Sequence, residues 1–419
     1  MRTIVFEDEA WSAFTPIAST RHLSLLALGA GSSLDHLRRD LRSKEVSLAG
    51  RDYLAATSKR ATGLPFNQAP DDDVLLVNAR LRPGSTKEIE KAEEGRFIST
   101  TGGEVVLAKL DAVAYNGLRK TNGVITQDQL ARLSKDYERL ECTDRRVFSF
   151  PWEQVDENGR SICQYLPKSK ESTDLPDGCT LKGNKKRLLI SPRSRIDPPS
   201  FFDTREGPII VEDEVEIEAF SHVRGPCFIG KGSRVHSALI RKETTIGEGC
   251  RIGGEVESSI IYPHTNKAHH GYLGNAIVGA WVNLGAGSTV SNLKNTYGPV
   301  RVMVGTAKVD SGMQRLGPMI GDMAKIAIGC LVFAGKKIGV GSHAMGLVNR
   351  DVPSFTFYDG NNDRAVELQL SSVLATQRRM MRRRNVEMGD AMERLVRTLF
   401  RQTQSERRAA KVARGSLVA

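Results

Sequence analysis

The stretch that decides the fold is VEDEVEIEAFSHVRGPCFIG, residues 211–230, in which aliphatic side chains fall every six positions at Val211, Ile217, Val223 and Ile229. An α-helix repeats every 3.6 residues and a half-buried strand every two, so neither produces this period. Working outward, the spacing reaches Val235 and restarts one residue early at Ile240, Ile246 and Ile252. It resumes at Val278, Leu284 and Val290, with Tyr272 in step before them, and returns at Ile320, Ile326, Val332 and Ile338. Gly often follows directly, as at Gly230, Gly247, Gly285, Gly321 and Gly339, and small residues sit four positions on at Ser221, Cys227, Ser233, Cys250 and Ser342.

A period of six fits a hexapeptide β-helix, in which short parallel strands each turn one aliphatic side chain inward and Gly relieves the corners. Successive coils then stack at the strand spacing of about 4.8 Å. Residues 253–271 and 294–319 interrupt the period, so both are expected to loop out of the coil or cross a corner irregularly, and loops held on a rigid scaffold are natural places for chemistry.

The rest of the chain reads differently. Thr3–Phe6 and Val74–Val77 look like buried strands, Leu25–Leu28 is ambiguous between strand and helix, and Leu34–Leu41 and Gln127–Leu140 carry helical spacing, which together predict a mixed α/β domain. Residues 155–200 are rich in Pro, Gly, Lys and Ser and read as insertions and a linker. The expected division is therefore an α/β domain with its linker over 1–195, a β-helix over 205–358 and a basic helical tail over 362–419.

The formal net charge is +11. From Arg364 onward there are thirteen Arg or Lys against five Asp or Glu, a net +8 that leaves only +3 for all other residues. A solvated or packed helical face explains the arginines better than a nucleic-acid partner does, because no aromatic stacking pattern accompanies them. Six scattered cysteines without a C-x-x-C pair argue against a zinc site or a disulfide framework and point to a reducing cytoplasm. No apolar run approaches the roughly 20 residues of a membrane span, and the acidic start is unlike a secretory signal.

Chemistry concentrates near the first interruption. His269 and His270 form a paired histidine in Asn266–Gly274, and an imidazole titrating near neutrality is a candidate general base. Nearby Asn residues can orient a polar substrate, and the Gly285-Ala286-Gly287 turn admits a ligand close to the backbone.

These stretches resemble the β-helix of the bifunctional enzymes that acetylate glucosamine-1-phosphate and then uridylylate it. The matching motifs are Gly253–Glu257, Asn266–Gly274, Gly285–Gly287, Ser291–Gly298, Val309–Gly312 and Ile320–Asp322. More narrowly, the chain resembles a divergent bacterial branch of sugar nucleotidyltransferases with a variant N-terminal domain. There Phe6-Glu7-Asp8, Pro16, Thr20-Arg21 and Asn78–Leu81 match loosely. The likeness runs from about residue 3 to 358 and leaves out the tail.

The resemblance implies a nucleotidyltransferase-like α/β domain, a left-handed parallel β-helix and a homotrimer. It implies an acetyl-CoA-dependent N-acetyltransferase acting on a sugar phosphate, with nucleotidyl transfer and its Mg2+ at the N-terminal domain. It places the base at His269, with His270 one register away, and substrate contacts at Arg241, Tyr272, Asn283 and Asn292. Spacing puts Ser259 at the position of a second phosphate contact, so either Lys267 substitutes for it or the acceptor differs. Acetyl-CoA contacts would fall at Ala327, Gly329, Ala334 and Lys336. The family's Gly-rich nucleotide loop has only Leu28–Leu34 as a counterpart, with Arg21, Gly29 and Gly31 as candidate nucleotide contacts, and Thr20-Arg21 precedes that string instead of following it. Asp71-Asp72-Asp73 reads as a solvated turn rather than a metal site. The alternative is nucleotidyl transfer alone, with the β-helix serving as a trimerisation scaffold.

Overall fold

The computed structural model describes residues 2–41, 45–84, 86–93, 97–99, 102–118, 122–142, 146–164 and 173–415. The described residues fall into two compact units. The first comprises residues 1–14, 20–27 and 31–153, and the second comprises residues 15–19, 28–30 and 154–419.

The first unit is a six-stranded mixed sheet in the order Val46–Ala49, Arg2–Phe6, Val74–Asn78, Val105–Leu110, Phe97–Ser99, Arg139–Glu141. Its first three strands are parallel and buried, and the central one has neighbours on both sides that come later in the chain. That arrangement makes the carboxyl end of Arg2–Phe6 a topological switch point, where open α/β sheets commonly bind ligands. The ambiguous Leu25–Leu28 resolves into a 3-10 turn at Leu23–Leu25 and a short strand at Ala27–Leu28, and Asp71–Asp73 is an exposed turn.

The second unit is a parallel β-solenoid of about ten turns. One face stacks the strands beginning at Leu188, Ile209, Cys227, Thr244, Ile260, Ile277, Met319 and Lys337. A second face runs from Arg195–Ile196 to Thr356–Asp359, and a third from Thr180–Lys182 through Phe201–Asp203, His222–Arg224 and Tyr272–Gly274 to Leu347–Val348. All fifteen repeat aliphatics from Val211 to Ile338 are at most 2% exposed and belong to one continuous core. The period of six is thus the spacing from one inward position to the next around the coil.

Three details differ from the sequence reading. The solenoid reaches back into residues 155–200: Thr180–Lys182, Leu188–Ile190 and Arg195–Ile196 are coil strands, and Trp152–Gln164 is a helix. There the coil advances twenty-one residues, from Leu188 to Ile209, instead of the eighteen from Ile209 to Cys227, which hides the period. Residues 253–271 do not loop out; they take the other expected course and cross a corner irregularly, at left-handed Gly254. The coil shortens to fifteen residues between Thr245 and Ile260, so the inward positions arrive early and fall on Val256, Ile261, Lys267 and Leu273. Tyr272, expected in step with the aliphatics, therefore faces outward. Residues 294–319 do leave the coil, as an arm carrying the antiparallel hairpin Arg301–Val304 and Ala307–Asp310.

The last coil closes with a hairpin, Thr356–Asp359 against Arg364–Glu367, so the structure runs strand into the region assigned to the tail. The helices Leu370–Arg382, Asp390–Gln402 and Gln404–Ala409 follow. Their apolar residues Val373, Leu374, Met381, Leu395, Val396 and Leu399 are buried. None of the described helices is long and apolar enough to cross a membrane.

Candidate active site

The third face and the corner leading into it gather most of the residues singled out from the sequence. Two strands, Arg234–Ile240 and Arg251–Glu257, bend from the second face into the third, with left-handed backbone at Ser237 and Gly254. After the bend, Leu239 pairs with Glu255 and Glu255 with Tyr272, which brings Arg241, Glu255, Glu257 and Tyr272 onto adjacent coils.

Side chains there are joined in a network. Arg241 Nε donates to Glu255 Oε1 at 2.5 Å. The Tyr272 hydroxyl donates to Glu257 Oε2 at 2.8 Å and accepts from Asn292 Nδ2 at 2.8 Å. Asn292 Nδ2 also reaches Asn275 Oδ1 at 2.7 Å. Burial, followed by the Glu257 carboxylate, pushes the Tyr272 phenol above its ordinary range, so it is a standing donor at any working pH.

His269 and His270 project, exposed, from the corner that precedes Tyr272. The corner is held from inside. Lys267 is 2% exposed in an inward position, and its ammonium donates to Gly253 O at 2.6 Å and to His269 O at 3.0 Å. Desolvation lowers its pKa to about 8, against the pull of Glu255. On the next coil Gly287 donates its N–H to His270 O, and a Cβ there would come within 3.3 Å of His270 Nε2. Glycine at 287 lets the imidazole lie over the backbone.

Beyond the network opens a cleft of about 800 Å³. Thr289–Ser291 with Leu293, and Leu331–Ala334 with Lys336, form its floor, and the inserted arm forms its wall. Thr289 links it to the network, since its hydroxyl accepts from Tyr272 N at 3.4 Å. The exposed apolar side chains of Leu331 and Phe333 meet the cations Lys294, Arg301, Lys308 and Lys336, with Asp310 as the acid among its lining residues. An apolar floor under a cationic rim suits a long ligand that is apolar at one end and phosphorylated at the other.

The structure gathers Arg241, Tyr272 and Asn292 on the third face, sets His269 and His270 on the corner just before Tyr272, and lines the adjoining cleft with Ala334 and Lys336. Ala327 and Gly329 are exposed on the same corner one coil beyond Gly287. Two expected substrate contacts lie elsewhere. Lys267 turns inward, and its ammonium donates to backbone carbonyls. Asn283 is on the second face, where its Oδ1 accepts from Asn266 Nδ2 at 3.0 Å. The sequence reading missed Glu257 and Asn275 as members of the network. Glu255 and Glu257 flank the inward Val256, so their outward direction is a signal the motif already contains.

In the first unit the switch point is filled by its own ions. Glu7 and Asp8 follow the central strand, fully buried. Arg51 meets Glu7 through two nitrogens at 3.0 and 2.7 Å, and Arg80 meets Asp8 in the same way at 3.0 and 2.6 Å. Asn78 and Gln127 also donate to Asp8. The Arg51 charge holds the Glu7 carboxyl below its ordinary range, although desolvation alone would raise it. Arg21 contributes its carbonyl to Arg51. Gly31 and Ser32 lead into the helix Ser33–Asp40, where Ser32 and Asp35 form a capping box, so a carboxylate already occupies that N-terminus. In the second unit the Gly29 N–H is donated to Asn158 Oδ1 at 2.8 Å. The Gly29-to-Gly31 string is thus committed to structure, and the buried acids are matched by arginines instead of standing open to Mg2+. Among the described residues no three His, Cys, Asp or Glu side chains converge as a metal-holding group.

Comparison with known proteins agrees with this layout. The sugar nucleotidyl transferase family matches residues 3–170. The bifunctional sugar-1-phosphate nucleotidylyltransferase/acetyltransferase of Sulfurisphaera tokodaii is 32% identical over 158 residues, which is 36% of this chain and 39% of that protein. The bifunctional protein GlmU of Methanocaldococcus jannaschii is 34% identical over 126 residues, 29% of this chain and 30% of its own. The chain resembles the bifunctional GlmU proteins. It spans well under half the length of these curated relatives. A solved N-acyltransferase from Bacillus cereus, AntD, is 14% identical with a TM-score of 0.23, covering 49% of this chain and 92% of its own, a likeness too slight to add to the coil geometry above.

Proposed function

We propose that the solenoid transfers an acetyl group from acetyl-CoA to the amine of an amino-sugar phosphate, within nucleotide-sugar synthesis in the cytoplasm. The observation that supports this reading is the set of Arg241–Glu255 and Glu257–Tyr272–Asn292 contacts on the third face, with two exposed imidazoles on the corner before Tyr272 and a cation-rimmed cleft that Thr289 links to Tyr272.

Each part has a chemical role. Tyr272, Asn292 and the acids beside them offer donors and acceptors to sugar hydroxyls, and Arg241 offers a guanidinium to the phosphate. The cleft takes the pantetheine on Leu331 and Phe333 and the nucleotide phosphates on its lysines. The imidazole of His269 removes a proton as the sugar nitrogen attacks the thioester carbonyl. The C–N bond forms, the C–S bond breaks, and the sulfur leaves with a proton returned from the imidazolium. Backbone N–H groups at the corner stabilise the oxyanion. UDP-N-acetylglucosamine is the pathway product this chemistry would feed, and a homotrimer would bring a second copy against the cleft.

The match over residues 3–170 favours a second reading, nucleotidyl transfer by the first unit with the solenoid as scaffold. The two separate in one assay on the whole protein. His269→Ala is expected to lower acetyl transfer to glucosamine-1-phosphate by about 10²–10⁴-fold while acetyl-CoA still binds. Unchanged transfer in that variant sinks the site. Pyrophosphate release from UTP and a sugar-1-phosphate, with no binding of acetyl-CoA, moves the function to the first unit.

A further inference from the structure

On the second face, the tail helix Leu370–Arg382 and the residues after it cover a separate cleft of about 440 Å³. Four arginines line it, Arg251 from the solenoid and Arg379, Arg383 and Arg384 from the tail, with Lys325 of the sheet beside them. No Asp or Glu is among its described lining residues.

Nearby acids are already engaged. Glu218 meets His236 at 2.8 Å, Glu216 meets Arg234 at 3.0 Å, and Glu393 holds both Arg378 and Arg397. Among the described residues the Arg251 guanidinium donates to backbone carbonyls, Gly232 O and Cys250 O at 3.0 Å and Gly249 O at 3.4 Å, with the Glu216 carboxylate acting on it from a distance. Arg384 reaches Asn266 Oδ1 at 3.4 Å, while its Nε is buried with no partner among the described residues. The Nε2 of Gln377, a side chain 1% exposed that touches Lys325, is likewise buried without one. Desolvation, together with repulsion between these guanidiniums, holds Arg251 and Arg384 below their usual range. Desolvation brings Lys325 down to about 7 against the pull of Asp322, and its nitrogen already donates to Trp281 O, Met323 O and Gln377 Oε1, so the arginines carry the charge of the cleft.

Helix-end electrostatics accounts for part of this. Cations suit the C-terminal turn, where Arg379 and Arg382 stand. It does not account for Arg251 and Lys325, which come from the sheet beneath. Several guanidiniums lining one cleft, one of them with a buried Nε that has no partner among the described residues, match a dense, multiply charged oxyanion. A cleft of this size, floored by a sheet and covered by a helix, admits a small molecule and excludes a duplex or a bilayer.

We infer that this second-face cleft binds a soluble phosphate compound, a diphosphate or phosphate ester, apart from the network on the third face. Asn266 and Asn283, whose side chains share a hydrogen bond, would orient it, which gives Asn283 a role away from the acetyl acceptor.

The test is isothermal titration of the whole protein with inorganic pyrophosphate, with and without saturating acetyl-CoA. One pyrophosphate per chain is expected, unaffected by acetyl-CoA and weakening steeply with salt. Arg379→Gln/Arg383→Gln changes two exposed side chains, so the fold should survive, as an unchanged thermal melt would verify. That variant should bind pyrophosphate at least about tenfold more weakly, and the matching Lys variant should fall between. Equal binding by the Gln variant, no binding by the wild type at millimolar pyrophosphate, competition by acetyl-CoA, or displacement by a single-stranded oligonucleotide each overturns the inference.

Discussion

Lys267 stands where the neighbouring coils place Ile252 and Leu284, so an ammonium occupies a position the fold would otherwise fill with an aliphatic group. A pKa lowered from 10.5 to about 8 amounts to roughly 3 kcal/mol of differential interaction at pH 7. The return is positional, because the same ammonium holds the carbonyls of Gly253 and His269. Lys267→Met should therefore raise stability at pH 7 by about 1–3 kcal/mol and at the same time lower kcat for acetyl transfer. The sign with pH follows from linkage. The folded-state pKa lies below the unfolded value, so the wild type gains stability as pH rises from about 8 to 10.5, and the advantage of the variant shrinks over that window. Urea melts at pH 7 and pH 10 check this, and a Met variant less stable at pH 7 refutes it.

Individual coils are where the fold was most legible. Each repeat aliphatic is inward because a coil offers one such position per short strand, and that regularity survives in the sequence wherever coils keep eighteen residues. It fails where coil length changes. The twenty-one-residue steps at the start hid the first strands, and the fifteen-residue steps near Ile260 shifted the phase so that Leu273, not Tyr272, faces inward. That shift also frees Tyr272 for the site. The histidine corner was legible as a motif, whereas the Glu257–Tyr272–Asn275–Asn292 contacts join coils whose relative register no local pattern records. Because the core is continuous, Ile246→Ala should cost about 2–5 kcal/mol in urea unfolding and Ile246→Val only about 0.5–1.5. Equal small losses for both would mean that the coil collapses around the vacancy.

At the scale of the second unit, one arginine ties the tail to the end of the solenoid. Arg407 is 2% exposed, paired with Glu367 at 2.5 Å and bonded to Ser354 O, Phe400 O and Thr403, with its guanidinium over the Phe400 ring at 4.5 Å. Removing one partner of a buried pair leaves the other charge uncompensated. Arg407→Ala should lower stability by about 3–5 kcal/mol and loosen the tail, seen as faster amide exchange in Leu370–Arg382. Retained protection there would show that the apolar contacts of the helices suffice.

The arm over 294–318 enters and leaves between strands that stay paired. Ile277 meets Met319 forty-two residues later as neatly as Met319 meets Lys337 eighteen residues on. Closing a longer loop costs little, since that entropy grows only with the logarithm of length. The scaffold is therefore tolerant of the arm's length, although not of all its contents, since Val300, Val302 and Leu316 are buried and Gly335 donates its N–H to Leu316 O. The exposed tip of the arm's hairpin, at residues 305–308, is the exchangeable part: on the proposed reading, a lineage, or an engineer, can rewrite there what meets the acyl donor without renegotiating how the protein folds.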